Sequence, residues 1–310
     1  MEIHTLLRSE ITAFDFMPDH FAAVRNAFPH ARLIHHDNDS ELLACGESVD
    51  VVLAWSFDAD WYGPLPNLQL VMTPAAGNDW IAPAPSSRVR VVHGTFHGQI
   101  LRESVLQAIL FMNHRMPAMI RNFNARQWDR NLQADSRLLR GQNAVIVGFG
   151  NIGSRCAELL TTLGMKVIGV ARGSRSVDPR IADRVIDISS MNEALPYADH
   201  IVLLLPGDPS TDSTIGAREL ACCKTGAYLY NFGRGNAINT AALIPELTRL
   251  GGAFLDVVDE EPLSASSPLW TAPNVMITPH SSCVYRNYVS CFLEEVVAEL
   301  ASAQTEGWLD

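Results

Sequence analysis

The sequence predicts an α/β fold of two doubly wound parallel-sheet domains. Three observations carry that reading. Continuous apolar runs alternate with helical segments, a glycine-rich turn joins one such run to a helix, and 310 residues suffice for two separate cores. Within residues 1 to about 96, Val51–Trp55 and Leu68–Met72 are apolar runs bounded by turn residues, as strands buried on both faces should be. The loops that follow them, Ser56-Phe57-Asp58 and Thr73–Asn78, stand at strand carboxyl ends, where open α/β sheets bind ligands. Ile100–Met116 has helical periodicity through Val105, Ile109 and Met112, and is expected to form a long helix crossing to the second domain.

That second domain starts with the strand Ala144–Val147, the turn Gly148-Phe149-Gly150-Asn151-Ile152-Gly153, a helix over Ser154–Leu163 and a strand over Lys166–Val170. Strands are expected at Ile201–Leu205, Ala227–Asn231, Ala253–Val257 and Val275–Thr278. The amphipathic segment Glu294–Ala303 is expected to return to the first domain. A Rossmann cofactor domain at 97–282 would then be inserted into a discontinuous, flavodoxin-like substrate domain of 1–96 plus 283–310.

Bulk properties exclude several classes. Hydrophobic residues at 47% and charged residues at 18% are values of a globular chain, not a disordered one. A net charge of −11 disfavours nucleic acid, whose binding requires a basic face. No uncharged apolar run is long enough to span a membrane. The N-terminus carries Glu2, Glu10 and Asp15 and lacks the layout of a secretion signal, so a cytoplasmic location is expected. The six cysteines are scattered without a CxxC, which favours reduced thiols and gives no metal-ligand spacing.

The glycine turn has the context that a dinucleotide site needs. Gly148 permits the tight turn, Gly150 lets backbone approach a pyrophosphate, and Gly153 lets helix and strand pack closely. After the second strand, Val170-Ala171-Arg172-Gly173-Ser174-Arg175 carries no acid before Asp178. Arg172 and Arg175 offer charge-assisted donors and Ser174 a hydroxyl, which suits a 2′-phosphate and so NADP(H) over NAD(H). A solvated basic loop is the alternative reading. Further on, Arg234 in Asn231-Phe232-Gly233-Arg234-Gly235, the acids of Asp256–Pro262, and His280 in Thr278-Pro279-His280 follow successive strand ends. A cation, a carboxylate and a histidine beside a dinucleotide turn are the groups hydride transfer to a carbonyl requires.

Those three segments resemble the signature segments of the D-isomer-specific 2-hydroxyacid dehydrogenases, and the resemblance runs from Ala76-Gly77 to His280 and beyond. The chain is closest to the glyoxylate/hydroxypyruvate reductase A type at Ala54-Trp55, Arg172 and Arg286. The resemblance implies NADPH-linked reduction of a small 2-keto acid. It casts His280 as acid/base, Glu261 as its partner, and Arg234 on the substrate's carboxylate and carbonyl. It gives the backbone of Ala76 and Gly77, with Trp55 and Arg286, to the substrate. It gives Gly148, Gly150, Asn151, Ile152, Gly153, Pro206, Phe232, Gly233 and Asp256 to the cofactor, Asp256 through the nicotinamide. No metal is implied, and a homodimer is, with the helix around Ile100–Met116 as interface.

The sequence departs from the family pattern at Ala75–Asp79, where Asn78 adds a polar group, at Pro206–Pro209 and at Ser281–Cys283. Three other readings stay open. One is a formate- or phosphite-type dehydrogenase, although the formate branch carries Gln where this chain has Glu261. Another is a non-catalytic, cofactor-sensing interaction protein of the same fold. The third is a structural Rossmann module with no substrate.

Overall fold

The computed structural model describes residues 1–77, 79–134 and 136–309. They divide into two compact units, one of residues 1–97 with the chain's end from 284, the other of residues 98–283. The first unit is built on a parallel sheet of β1 (Glu2–Leu6), β2 (Arg32–His35), β3 (Val51–Ala54), β4 (Leu70–Thr73) and β5 (Arg90–His93) in the order β2-β1-β3-β4-β5. This is the flavodoxin-like strand order. Every residue of β3 and β4 is buried, which explains why only these two strands are legible as apolar runs. The core joins Leu42, Val52, Phe57, Leu65 and Val71. The helix Tyr288–Thr305 belongs to this unit, burying Phe292, Val296 and Leu300 and packing on the helix Ala22–Ala27. Arg90 fastens it by ion pairs to Glu299 at 3.0 Å and Glu306 at 3.1 Å.

The second unit carries a seven-stranded parallel sheet: β6 (Asn143–Val147), β7 (Lys166–Ala171), β8 (Arg184–Asp187), β9 (His200–Leu203), β10 (Tyr228–Asn231), β11 (Gly252–Leu255) and β12 (Val275–Ile277). Their order is β12-β11-β10-β9-β6-β7-β8, so the winding reverses between β6 and β9, beside the glycine turn. Two buried layers cover the sheet. Val145, Leu203, Leu229 and Leu243 belong to one, and Ile146, Val202, Tyr230 and Phe254 to the other.

The expected helix over Ile100–Met116 is two helices. The first runs His97–Asn113, and the second, Met116–Asn124, begins after Arg115 in left-handed backbone (φ 56°). Pro117 in the second helix's first turn explains the break, since its missing N–H cannot continue the preceding ladder. The C-terminal helix starts at Tyr288, earlier than the periodicity indicates.

At the amino ends of the second sheet, buried polar groups form one network. Asp199 accepts from the amide of Asn143 (2.8 Å), from Lys224 Nζ (2.6 Å) and from the Arg137 guanidinium. Burial pushes its carboxyl up, but these donors outweigh burial and hold it below the ordinary carboxylate range. Beside it, His200 lies between the Tyr230 hydroxyl (2.8 Å) and Gln142 Oε1 (3.0 Å). Burial lowers its pKa to about 4, so the folded protein keeps this imidazole neutral. An unfolded His200 takes up its proton near pH 6.5, before the folded one does, so its share of the stability is complete above that pH. That share is lost as pH falls from about 6.5 towards 4, and amounts to roughly 3 kcal/mol. Denaturant unfolding across this window should show stability falling with acidification. His200→Gln should lower stability at pH 7 and flatten the slope; an unchanged slope would remove His200 from this role.

Candidate functional site

The glycine turn follows β6 at the reversal point of the second sheet. Gly148 has φ 101°, and a Cβ there would lie 2.4 Å from the carbonyl oxygen of Leu204. A Cβ on Gly153 would lie equally close, 2.4 Å, to the carbonyl oxygen of Gly148. Around Gly150, in contrast, nothing stands within 4 Å of an added Cβ. Gly150 also caps the helix Asn151–Thr162, and as a glycine it offers that helix end no capping side chain. Open space over an uncapped helix N-terminus fits a dinucleotide pyrophosphate, whose charge the N–H groups and helix dipole would meet. Ile152 packs against the core below.

The loop after β7 is more constrained than its composition indicates. Ala171 is in register with Asp187 at the end of β8. Asp187 accepts from the amide of Gly173 (2.6 Å) and from the amide (2.9 Å) and hydroxyl (2.6 Å) of Ser189. Those donors, the Ser189 hydroxyl foremost, keep its carboxyl below the usual range. An acid therefore does stand beside this loop, supplied by a neighbouring strand rather than by the loop's own sequence. Arg172, Ser174 and Arg175 are all exposed. Arg175 is not a free solvent arginine: its guanidinium donates to the carbonyl of Phe149 and lies 6.0 Å above that ring. It ties the loop to the glycine turn.

Three neighbouring strands bring the catalytic candidates together. Asn231, Leu255 and Ile277 share a register across β10, β11 and β12, so the segments that follow them emerge side by side. Arg234 follows β10, with Nη1 3.1 Å from the carbonyl of Gly233, and Asn231 braces the turn by donating to the Arg234 carbonyl at 3.0 Å. Gly235 is obligatory, since a Cβ would fall 1.8 Å from the carbonyl oxygen of Val258. His280 Nδ1 is 2.9 Å from Glu261 Oε2, and both side chains are partly exposed.

Asp256, which follows β11, is buried. Its carboxylate accepts from the Thr278 hydroxyl (2.6 Å) and from the amides of Ser281 (2.9 Å) and Ser282 (3.2 Å). A carboxylate has about four lone-pair sites, so roughly one remains for a nicotinamide amide. Two of the cofactor candidates offer little side chain. The ring of Phe232 is buried and stacked on Phe254 at 5.6 Å, and Gly233 packs within 2.4 Å of the Leu205 carbonyl for an added Cβ, one residue before Pro206. Cys283, below Asp256, has its thiol pushed up to about 12 by burial and is not a nucleophile.

The first unit holds Trp55, Ala76, Gly77 and Arg286. Trp55 sits among Phe14, Phe16 and Tyr288, and its buried Nε1 has no hydrogen-bond partner among the described residues. The loop after β4 is held by Thr73 Oγ1, which donates to the Trp55 carbonyl (3.0 Å) and accepts from the amide of Ala75 (3.1 Å). Tyr288 donates to the Pro74 carbonyl at 3.1 Å. Ala76 is exposed and Gly77 half-buried. Asn78 lies outside the described residues. Arg286 is exposed and lines a cavity of about 490 Å³ with Thr12, His20 and Leu293. Sequence reading missed Tyr288 and Thr73, which carry no motif, whereas Thr278 could have been found inside Thr-Pro-His.

Residues 106–282 match the family model described as the NAD binding domain of D-isomer specific 2-hydroxyacid dehydrogenases, more than half of the chain. An uncharacterised protein of Corynebacterium melassecola is 35% identical over 191 residues, covering 60% of this chain and 61% of that protein's length. A putative 2-hydroxyacid dehydrogenase of Haemophilus influenzae is 27% identical over 302 residues, 92% of this chain and 94% of that one. Among solved structures, an NADPH-dependent glyoxylate/hydroxypyruvate reductase of Sinorhizobium meliloti, in complex with NADP and sulfate, superposes with a TM-score of 0.80. It shares 24% identity, covering 98% of this chain and 95% of that one, a likeness of fold. With its strand order, its glycine turn and the matched cofactor domain, this chain belongs to the D-isomer specific 2-hydroxyacid dehydrogenase family.

Proposed function

We propose that the protein reduces small 2-keto acids of the glyoxylate and hydroxypyruvate kind to D-2-hydroxy acids, using NADPH. The observation that carries this reading is the His280–Glu261 contact of 2.9 Å on a loop fastened by Asp256, beside the Arg234 turn. With Nδ1 engaged by Glu261, the Nε2 proton of protonated His280 is free for the substrate's carbonyl oxygen as negative charge develops there. Arg234 supplies a fixed positive charge to that oxygen and to the carboxylate. The first unit offers the amides of Ala76 and Gly77, with Trp55 and Arg286, to a keto acid's carboxylate. When bound, the reduced dinucleotide supplies the hydride. Gly148, Gly150, Asn151, Ile152 and Gly153 would hold its pyrophosphate, and Arg172, Ser174 and Arg175 its 2′-phosphate. The remaining acceptor of Asp256 suits the nicotinamide amide. The relatives' and neighbours' names support the substrate class and the cofactor.

A homodimer accompanies this reading. Ile120, Phe123, Trp128 and Leu138 are exposed apolar side chains in one stretch after the helix His97–Asn113, with Phe123 at 81% and Trp128 at 92% exposure. No helix among the described residues is long and apolar enough to cross a membrane. The six cysteines are unpaired, which accords with the reducing cytoplasm we propose as its location.

His280→Ala should lower turnover of glyoxylate by roughly 10²–10⁴-fold while NADPH binding, followed by nucleotide fluorescence, is retained. Turnover within a few-fold of wild type would refute the acid/base assignment. Glu261→Gln should reduce kcat with little change in KM for the keto acid, because the negative charge behind the imidazolium rather than substrate binding is lost. Arg172→Ala should weaken NADPH by about tenfold, one charge-assisted contact, and leave NADH almost unaffected. A wild-type enzyme as efficient with NADH as with NADPH would make the basic loop a solvated turn. Light scattering should give a dimer mass that Phe123→Asp with Trp128→Asp converts to monomer.

A further inference from the structure

The first unit contains a group of metal-ligating side chains that the proposed reaction does not use. His4 lies mid-strand in β1, His36 follows β2, and Cys45 follows the short helix Asp39–Leu43. His4 Nδ1 is 2.9 Å from His36 Nε2, Cys45 Sγ is 4.0 Å from the same nitrogen, and the three atoms lie within 4.8 Å of one another. The two imidazoles are stacked, 5.2 Å apart and 7° from parallel, and both are buried. We infer that His4, His36 and Cys45 bind one zinc-type divalent ion, with a water completing a tetrahedral set.

The geometry suits that ion. Zinc–nitrogen bonds of about 2.0–2.1 Å and zinc–sulfur bonds of about 2.3 Å place tetrahedral ligand atoms roughly 3.3–3.6 Å apart. The spacings of 2.9 and 4.0 Å, with all three atoms within 4.8 Å, bracket that range, so changes of up to roughly an ångström in spacing would close the site. The second shell is also present. His4 Nε2 is buried and faces Glu2 Oε2 at 3.5 Å, with no shorter polar contact among the described residues. With Nδ1 on a metal, Nε2 must carry the proton and faces that carboxylate, the arrangement that orients ligating histidines. Burial foremost lowers the pKa of both His4 and His36, which keeps them neutral, as ligands must be. Asp50 lies close enough to act on His4, and Asp37 and Glu41 on His36, while the Met1 ammonium pairs with Asp50, Arg8 with Asp37 and Arg32 with Glu2. Cys45 is half-exposed, which leaves a route of entry and room for the water. Its thiol now points to the Glu41 carbonyl at 3.4 Å, and on coordination it would release its proton to solvent as the sulfur–metal bond forms.

The test uses the full-length protein stripped with a chelator and titrated with Zn²⁺ or Co²⁺. One equivalent should bind, with thiolate-to-cobalt charge-transfer absorption, release of about one proton per Zn²⁺ and a higher unfolding midpoint. Cys45→Ser, at a half-exposed position, should abolish the charge-transfer band. His36→Gln should weaken the ion at least tenfold, and Glu2→Gln should weaken it roughly 10–100-fold with the band retained. Keto-acid turnover should be unchanged in all three variants. Absence of the band in the wild type, its persistence in Cys45→Ser, or wild-type affinity in His36→Gln would overturn the inference, whatever the outcome for the reductase activity.

Discussion

The buried carboxylate of Asp256 is the interaction on which the reactive part of this molecule depends. It lies at the end of β11, flanked by two strands in register with it, and takes donors from three residues of the segment that carries His280. His280 has φ 49°, a conformation that costs a non-glycine residue roughly 1–3 kcal/mol. Its amide is held by the carbonyls of Asp256 (2.8 Å) and Thr278 (3.0 Å). The backbone bends because the hydrogen bonds at Asp256 outweigh that cost. The bend is what turns the imidazole to Glu261. A carboxylate assigned by resemblance to the cofactor thus also positions the acid/base candidate.

The same economy of strand ends governs the nucleotide half. Gly148, Gly153 and Gly235 are places where backbone passes within a Cβ's radius of other backbone, whereas Gly150 is open to a ligand. Only the last of these leaves space that a ligand could fill. The other three let the elements come close enough for that space to exist. Arg175, fixed on the Phe149 carbonyl, extends this logic to the charged loop, coupling the 2′-phosphate candidates to the turn that would hold the pyrophosphate.

Polar burial divides the second unit by end. At the carboxyl ends of its strands, Arg234, Glu261 and His280 are left accessible. At the amino ends, His200 pairs with Gln142 and Asp199 is held by Arg137, Lys224 and the Asn143 amide, and Gln142 and Asp199 border a cavity of about 950 Å³ lined also by Arg115, Arg121, Arg137 and Lys224. Its size would make that cavity a natural candidate for an active site, but it stands at the wrong end of a parallel sheet. The first unit makes a comparable choice, placing His4 and His36 in the core where most histidines would be solvated.

The sequence by itself determined the features that depend on neighbours along the chain. The α/β class follows from strands buried on both faces, β3, β4 and most of the second sheet, which must be apolar throughout. The glycine turn and the Asn-Phe-Gly-Arg-Gly, Asp-to-Pro and Thr-Pro-His segments were legible because their geometry is local to a few residues. Short strands with polar residues, such as β1 with His4 and Thr5, gave no periodic signal, since their burial is purchased by partners far along the chain. Tertiary structure alone decided that Arg175 anchors rather than waits in solvent, that Asp187 supplies an acid to the β7 loop, and that Phe232 faces the core. It alone also brought His4, His36 and Cys45 together from three elements, with none of the close spacing by which metal ligands are usually read. In each case the deciding contact joins residues distant in sequence, and only the packing of parallel strands sets which of them meet.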